Sequence, residues 1–225
     1  MTYNVHACVG TDGRYSPRRI CEVLHRVQPD FVGLQELEDR CIGDELIREY
    51  LARRLQLFAY PGSTLKREDA PYGNLLLSRE RAQTTRLHNI SSPGREPRGV
   101  IEAEYNLRGS RTQVLVTHFG LAAHERRAQA EAVSRLIRRR NADLTVLLGD
   151  FNEWRPGSYP LRTLARCFGS VARRRSWPAR WPILALDGIC ISPGAVRAIV
   201  DVETSHLTRV ASDHLPVVGD IQLPS

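Results

Sequence analysis

The stretch Leu144-Thr145-Val146-Leu147-Leu148-Gly149-Asp150-Phe151-Asn152 decides how this chain is read. An apolar, β-branched run stops at a glycine, and a carboxylate and a carboxamide follow two residues apart. The run predicts a buried strand. Gly149 would let the backbone turn without Cβ strain, leaving Asp150 and Asn152 side by side at the strand's end. Such an edge can hold a water with the carboxylate and a ligand oxygen with the amide. Asp and Asn are also ordinary turn residues, so the stretch alone leaves both readings open.

Working outward, the same pattern recurs. A strand over residues 2–5 ends in Asn4 and His6. The run Phe31-Val32-Gly33-Leu34 ends in Gln35-Glu36, and Val114-Leu115-Val116 runs into Thr117-His118. Asp187 lies inside a mostly strand segment, 183–191, and Ser212-Asp213-His214 feeds a final strand over 215–221. Helices are predicted from Ser16-Pro17 to Pro29-Asp30, with Ser as N-cap and Pro at the first helical position, and from an Asp44 cap through 55. Two more are predicted over 122–140 and 158–168. Further strands are expected over 57–60, 72–78, 83–90 and 198–202, with a hairpin of 100–107 and 112–119. Residues 61–71 and 176–182 read as loops. Strands outnumber helices and occur both as hairpins and as helix-linked pairs, which predicts sheet packed on sheet with helices outside.

At 225 residues with 42% hydrophobic content, the chain suits one domain over 1–225 with a sizeable core. No apolar run approaches the roughly 20 residues that span a bilayer, so no stable membrane insertion is expected. The first residues lack the basic flank and apolar core of a signal peptide. Cys8, Cys21, Cys41, Cys167 and Cys190 are odd in number and scattered, which reads as reduced thiols in a cytoplasmic protein. The net charge is +7, and Lys66 is the only lysine. A basic balance suits a polyanion such as nucleic acid or anionic lipid. The clusters at 126–127, 138–140 and 173–175 lack the interleaved aromatics of a stacking platform, and read more readily as arginine-rich solvated faces.

In order, Thr2-Tyr3-Asn4-Val5, Leu34-Gln35-Glu36, Tyr72-Gly73-Asn74-Leu75-Leu76-Leu77-Ser78, Thr117-His118, Gly149-Asp150-Phe151-Asn152, Leu186-Asp187-Gly188-Ile189 and Ser212-Asp213-His214 resemble the endonuclease/exonuclease/phosphatase superfamily. No one segment is specific; seven in sequence are. Residues 4–17, 96–99 and 177–191 look most similar to a bacterial branch of small metal-dependent hydrolases. The resemblance implies an α+β fold, a four-layer α/β/β/α sandwich of two mixed or antiparallel sheets flanked by helices (DNase I-like). It also implies divalent-metal-dependent hydrolysis of phosphodiester or phosphomonoester bonds, with Mg²⁺ or Mn²⁺ as cofactor.

Such chemistry must neutralise phosphoryl charge, aim a water in line and protect the leaving oxygen. By resemblance, Glu36 is the metal-binding glutamate, a hard oxygen donor suited to Mg²⁺. Asn4 sits near metal and phosphate, and Asp213 would help at the metal or a second cation position. Asp150 would orient or deprotonate the water, and Asn152 would hold that water or a phosphate oxygen. His118 and His214 would donate to non-bridging oxygens, with Asp187 paired to His214. His6 stands where an exonuclease-like branch has an aspartate, and suits phosphate contact better than a hard cation. Arg98 is expected as a phosphate clamp and Tyr72 as a cleft-lining residue.

The expected partner is a phosphate-ester substrate of nucleic-acid or phospholipid type, met by a monomer. The short loops argue against a duplex-gripping nuclease, and the lack of a long apolar hairpin argues against a membrane-entering enzyme. The alternative is a catalytically inactive binding or scaffold protein on the same fold. The chain has no Walker loop, no G-x-S-x-G elbow and no H-E-x-x-H.

Overall fold

Leu75, Leu76 and Leu77 are consecutive, yet Leu76 buries in a different layer from its two neighbours. That alternation, repeated along several strands, builds the molecule. The computed structural model describes residues 1–138, 142–193 and 196–222. In chain order the elements are β1 (Thr2–Asn4), α1 (Pro17–Val27), β2 (Phe31–Glu38), β3 (Cys41–Ile42), β4 (Glu45–Leu46), α2 (Ile47–Leu55), β5 (Phe58–Arg67), β6 (Ala70–Ser78) and β7 (Thr84–Asn89). They continue with β8 (Gly99–Leu107), β9 (Ser110–His118), α3 (Ala123–Arg138), β10 (Leu144–Asp150), α4 (Tyr159–Phe168), β11 (Ser170–Arg173), β12 (Asp187–Ser192), β13 (Ala198–Val202), α5 (His206–Ala211) and β14 (Val217–Ile221).

Two six-stranded sheets form, in the orders β13-β14-β1-β2-β6-β5 and β11-β12-β10-β9-β8-β7. Leu75, Leu77, Val32 and Leu34 pack under α1 and α2. Leu76, Val114, Val116, Val146 and Leu148 fill the space between the sheets. Leu115, Leu147 and Cys190 pack with Val133 of α3 and Leu164 of α4. The result is the four-layer sandwich. Each sheet holds one parallel pair, β1 with β2 and β9 with β10. Those four strands carry their C-terminal ends, and their polar residues, to one edge.

Several local expectations change. Residues 61–71 are not a loop: β5 runs through Arg67 and pairs with β6. β5 lies at a sheet edge, where Pro61 is tolerated because no ladder bond is needed from it. Asp44 caps no helix; it sits in the turn between β3 and β4, and α2 starts at Ile47. Ser16 holds the N-cap position of α1, without a side-chain cap bond. The segment 183–191 becomes strand only at Asp187, while β11 and α5 were not expected at all. The predicted helix over 122–140 is seen from Ala123 to Arg138, and its last two positions lie outside the described residues. So do Arg139 and Arg140 of the second arginine cluster.

The opening stretch is corrected in one respect. β10 does not stop at Gly149 but carries through Asp150. Gly149 is required by packing: a Cβ there would meet Thr117 Cγ2 at 2.9 Å and the Phe151 ring at 3.0 Å. Phe151 is fully buried. Its ring also lies 3.1 Å from where a Cβ on Gly188, the cross-strand partner of Gly149, would stand.

Candidate active site

The ladder sets the site's geometry. Asp150 is directly opposite His118 on β9 and directly opposite Asp187 on β12. Three functional groups therefore stand in a row across one sheet. The facing sheet supplies Asn4, at the end of β1, and Glu36. A bulge in β2 between Leu34 and Leu37 turns Glu36 aside, with φ at +56°.

Asn4 ties the sheets together. Its Nδ2 donates to Glu36 Oε1 and to Asp150 Oδ2, both at 3.0 Å, and its Oδ1 accepts from the His6 amide. Asp150 is 1% exposed; its Oδ1 accepts from the Asn152 amide at 2.9 Å. Its Oδ2 lies 3.7 Å from His118 Nε2 and 3.9 Å from His214 Nε2. Burial, with the nearby Asp187 carboxylate, raises the Asp150 pKa above the ordinary carboxylate value.

His214 and His118 are both buried, with different surroundings. His214 Nδ1 is 2.8 Å from Asp187 Oδ2, and Ser176 Oγ donates to the same oxygen. Burial alone would lower the His214 pKa; Asp187 and Asp150 overcome it and raise the pKa to about 10. His118 Nδ1 instead faces Arg98 Nη1 at 3.4 Å, and its Nε2 faces Asn152 Nδ2 at 3.0 Å. The Asn152 amide orientation is fixed by Phe119 O, which accepts from the same Nδ2 at 2.9 Å. Burial, partly opposed by Asp150 and reinforced by Arg98, lowers the His118 pKa to about 3. At neutral pH one ring is an imidazolium and the other a neutral imidazole.

The remaining expected residues are placed less centrally. Asp213 accepts from Trp177 Nε1, and its Oδ1 lies 3.8 Å from the exposed His6 Nδ1. Arg98 is 8% exposed and sits behind His118, with Nη1 on Glu96 Oε1. Tyr72 is buried beneath the Arg67 guanidinium, 3.6 Å from its ring centre. Ser212 Oγ donates to the Asn4 carbonyl at 2.8 Å, closing the edge between the last loop and the first strand.

The donor set fits a hard divalent cation. Glu36 is part-exposed and shares the Asn4 amide with Asp150, so two carboxylates converge there. Asp150, Asp187 and His214 also place one ligand atom each within 4.8 Å of one another. A protonated His214 committed to Asp187 is a poor ligand, because coordination needs the neutral ring. The first grouping is the better cradle.

Sequence reasoning missed a second tier. Arg126 and Arg173 belong to clusters expected on solvated faces, yet both turn inward. Buried Arg126 pairs with the Glu153 carboxylate at 3.2 Å and also donates to Leu121 O. Arg173 Nη1 donates to Glu153 O and to Ala185 O. Glu153 directly follows Asn152, the one signal that could have marked it. Ser176 offered no signal.

A family model described as "Endonuclease/Exonuclease/phosphatase family" matches residues 1–214. The chain is similar to an endonuclease/exonuclease/phosphatase from Beutenbergia cavernae (TM-score 0.77, 23% identity, 99% of this chain and 70% of that one). It is also similar to one from Bacteroides vulgatus (0.81, 17%, 99% and 97%). A third is the mannosyl-6-phosphatase Bt3783 of Bacteroides thetaiotaomicron (0.73, 14%, 99% and 98%). These likenesses show the fold. No curated protein matches the sequence.

Proposed function

The chain belongs to the endonuclease/exonuclease/phosphatase family, and from that premise we propose that it is a divalent-metal-dependent hydrolase of phosphate esters. The observation that carries the reading is the Asp150 carboxylate. It is bonded to Asn4 and lies within 4 Å of two histidines, one backed by a carboxylate and the other by a guanidinium. In this reading the neighbour named as a mannosyl-6-phosphatase is a relative in reaction class, not a guide to substrate.

A cation held by Glu36, Mg²⁺ or Mn²⁺ by the hardness of its oxygens, would supply charge neutralisation on the phosphoryl group. Asp150 Oδ2 orients the attacking water and takes its proton. His214, charged through Asp187, donates from Nε2 to a non-bridging oxygen as negative charge builds. Neutral His118 and the Asn152 amide position the water or a second phosphate oxygen. Asn4 holds Asp150 and Glu36 in register across the two sheets. His6 and Asp213 stand at the mouth, where they contact the substrate's flanking groups.

The test is turnover of bis(p-nitrophenyl) phosphate and p-nitrophenyl phosphate with added Mg²⁺ or Mn²⁺, against chelated protein and the Asp150→Asn variant. Metal-dependent release of nitrophenol that Asp150→Asn abolishes supports the reading. No turnover of either ester together with no metal binding by calorimetry would sink it, and would favour a binding protein on this fold.

A further inference from the structure

Glu153 is a carboxylate only 1% exposed, paired with the buried guanidinium of Arg126. A buried ion pair is a poor source of stability, because desolvating both charges offsets most of their attraction. A geometric role fits better, since the contacts around this pair end on loops that deliver site residues. Glu153 Oε2 accepts from Arg126 Nε at 3.2 Å, and Arg126 Nη1 donates to Leu121 O, three residues past His118. Arg173 Nη1 donates to Glu153 O and to Ala185 O, two residues before Asp187. The Arg173 stem crosses Gly188, where a Cβ would meet its Cγ at 2.6 Å.

The residue most in need of such a hold is the one before Glu153. Asn152 has φ at +49°, in the left-handed region that residues other than glycine seldom occupy. Asparagine tolerates that conformation, but it persists where the surroundings over-determine it. From it, Asn152 Nδ2 reaches Phe119 O at 2.9 Å and His118 Nε2 at 3.0 Å. On one side the Asn152 amide is tied to Asp150 Oδ1 at 2.9 Å; on the other side the tie is Glu153. The fixed reference for that tie is α3. Gln129 Oε1 accepts from Gly120 N at 2.7 Å and Glu125 Oε2 from Ala122 N at 3.0 Å. The helix that carries Arg126 therefore also holds the loop that supplies Phe119 O.

We propose that Glu153, gripped by Arg126 and Arg173, is a positioning residue that acts through Asn152. It holds the left-handed turn and so keeps the Asn152 carboxamide on His118, aimed at the reacting water or phosphate oxygen. The inference rests on the phosphoesterase reading, in which Asn152 and His118 do that work. A displacement of about 1 Å in such a group costs about 10²-fold in rate.

The experiment compares the full chain with the paired variant Glu153→Gln/Arg126→Met, which leaves neither of the two charges buried alone. On bis(p-nitrophenyl) phosphate with Mn²⁺, kcat should fall about 10²-fold with KM within about twofold of the parent, in a protein that circular dichroism shows to be folded. Adding Asn152→Ala should leave kcat within about threefold of Asn152→Ala alone, because residues acting as one unit are not additive. By NMR on isotope-labelled protein, the Asn152 carboxamide signals should move in the paired variant. Arg173→Met, which releases only the Glu153 carbonyl, is the second probe, with the same signals moved and a loss of about tenfold. A folded paired variant with parent-like kcat overturns the proposal, as does a loss that multiplies in full with that of Asn152→Ala. Should the paired variant not fold, a parent-like rate and unmoved signals in Arg173→Met overturn it. If the parent turns over no ester, the phosphoesterase reading fails by itself, and the carboxamide signals decide the positioning: unmoved, they overturn it.

Discussion

His118 and His214 flank one carboxylate at nearly equal distance, 3.7 and 3.9 Å, yet they are opposites. Behind His214 stands a carboxylate, Asp187; behind His118 stands a guanidinium, Arg98. The ring is the same, and burial presses both toward neutrality. The residue in the second tier decides which becomes a cation. One site thereby presents a charged donor and an uncharged imidazole on two sides of a buried acid, a division of labour suited to acid–base chemistry near neutral pH.

The heaviest test of this division removes the group between the rings. Asp150→Asn should cost about 10³-fold or more in kcat on a metal-supplemented diester, with the fold retained by circular dichroism. Residual turnover within tenfold of the parent would mean that another group takes the proton. Next, Asp187→Asn should cost about 10²-fold and, unlike Asp150→Asn, should shift the alkaline limb of the pH–rate profile to lower pH. An unmoved limb would show that His214 owes its charge elsewhere. The comparison narrows further with Arg98→Met, which removes a cation beside a neutral ring. The His118 ring signals should then titrate at higher pH by NMR, with a rate loss of about tenfold or less; an unchanged titration would leave burial as the whole cause.

The smallest effect is on stability. His214 has a folded pKa, about 10, above the roughly 6.5 of an unfolded histidine. Its contribution is complete below the lower value and is lost as pH rises through the upper one. His118, at about 3, has the reverse sign: the unfolded ring binds a proton that the folded one refuses, so its contribution falls away as pH drops below about 6.5. Thermal melts of His214→Gln should sit furthest below the parent near pH 6 and converge toward pH 10. A gap that widens with pH would contradict the assignment.

How much of this was legible follows from what each residue depends on. Strand-end residues were readable because an apolar run fixes where its polar end falls; Asn4, Glu36, His118 and Asp150 were placed at strand ends that way. The continuation of β5 beyond Tyr60 was lost because Pro61 and Gly62 imitate a loop, and only its edge position makes them acceptable. Arg126 and Arg173 were lost for the opposite reason. Their clusters suggested solvated charge, and inward pairing depends on Glu153, a partner supplied by tertiary structure. The role of Arg98 as a backing group, rather than a residue at the mouth, required the distance to His118. Gly149 was read for the right residue and the wrong reason: the Phe151 ring, not a turn, excludes a side chain there.

The hydrogen bond from Ser212 Oγ to the Asn4 carbonyl spans 208 residues, and that from Asn4 to Asp150 spans 146. Contacts this remote in sequence form only after the intervening loops have closed, and topology of that kind slows folding. Until residues 212–214 have arrived beside β1, the edge lacks His214 and stands open on one side. A chain still being made, with either sheet incomplete, therefore has the acids but not the arrangement, which is complete only with closure of the whole.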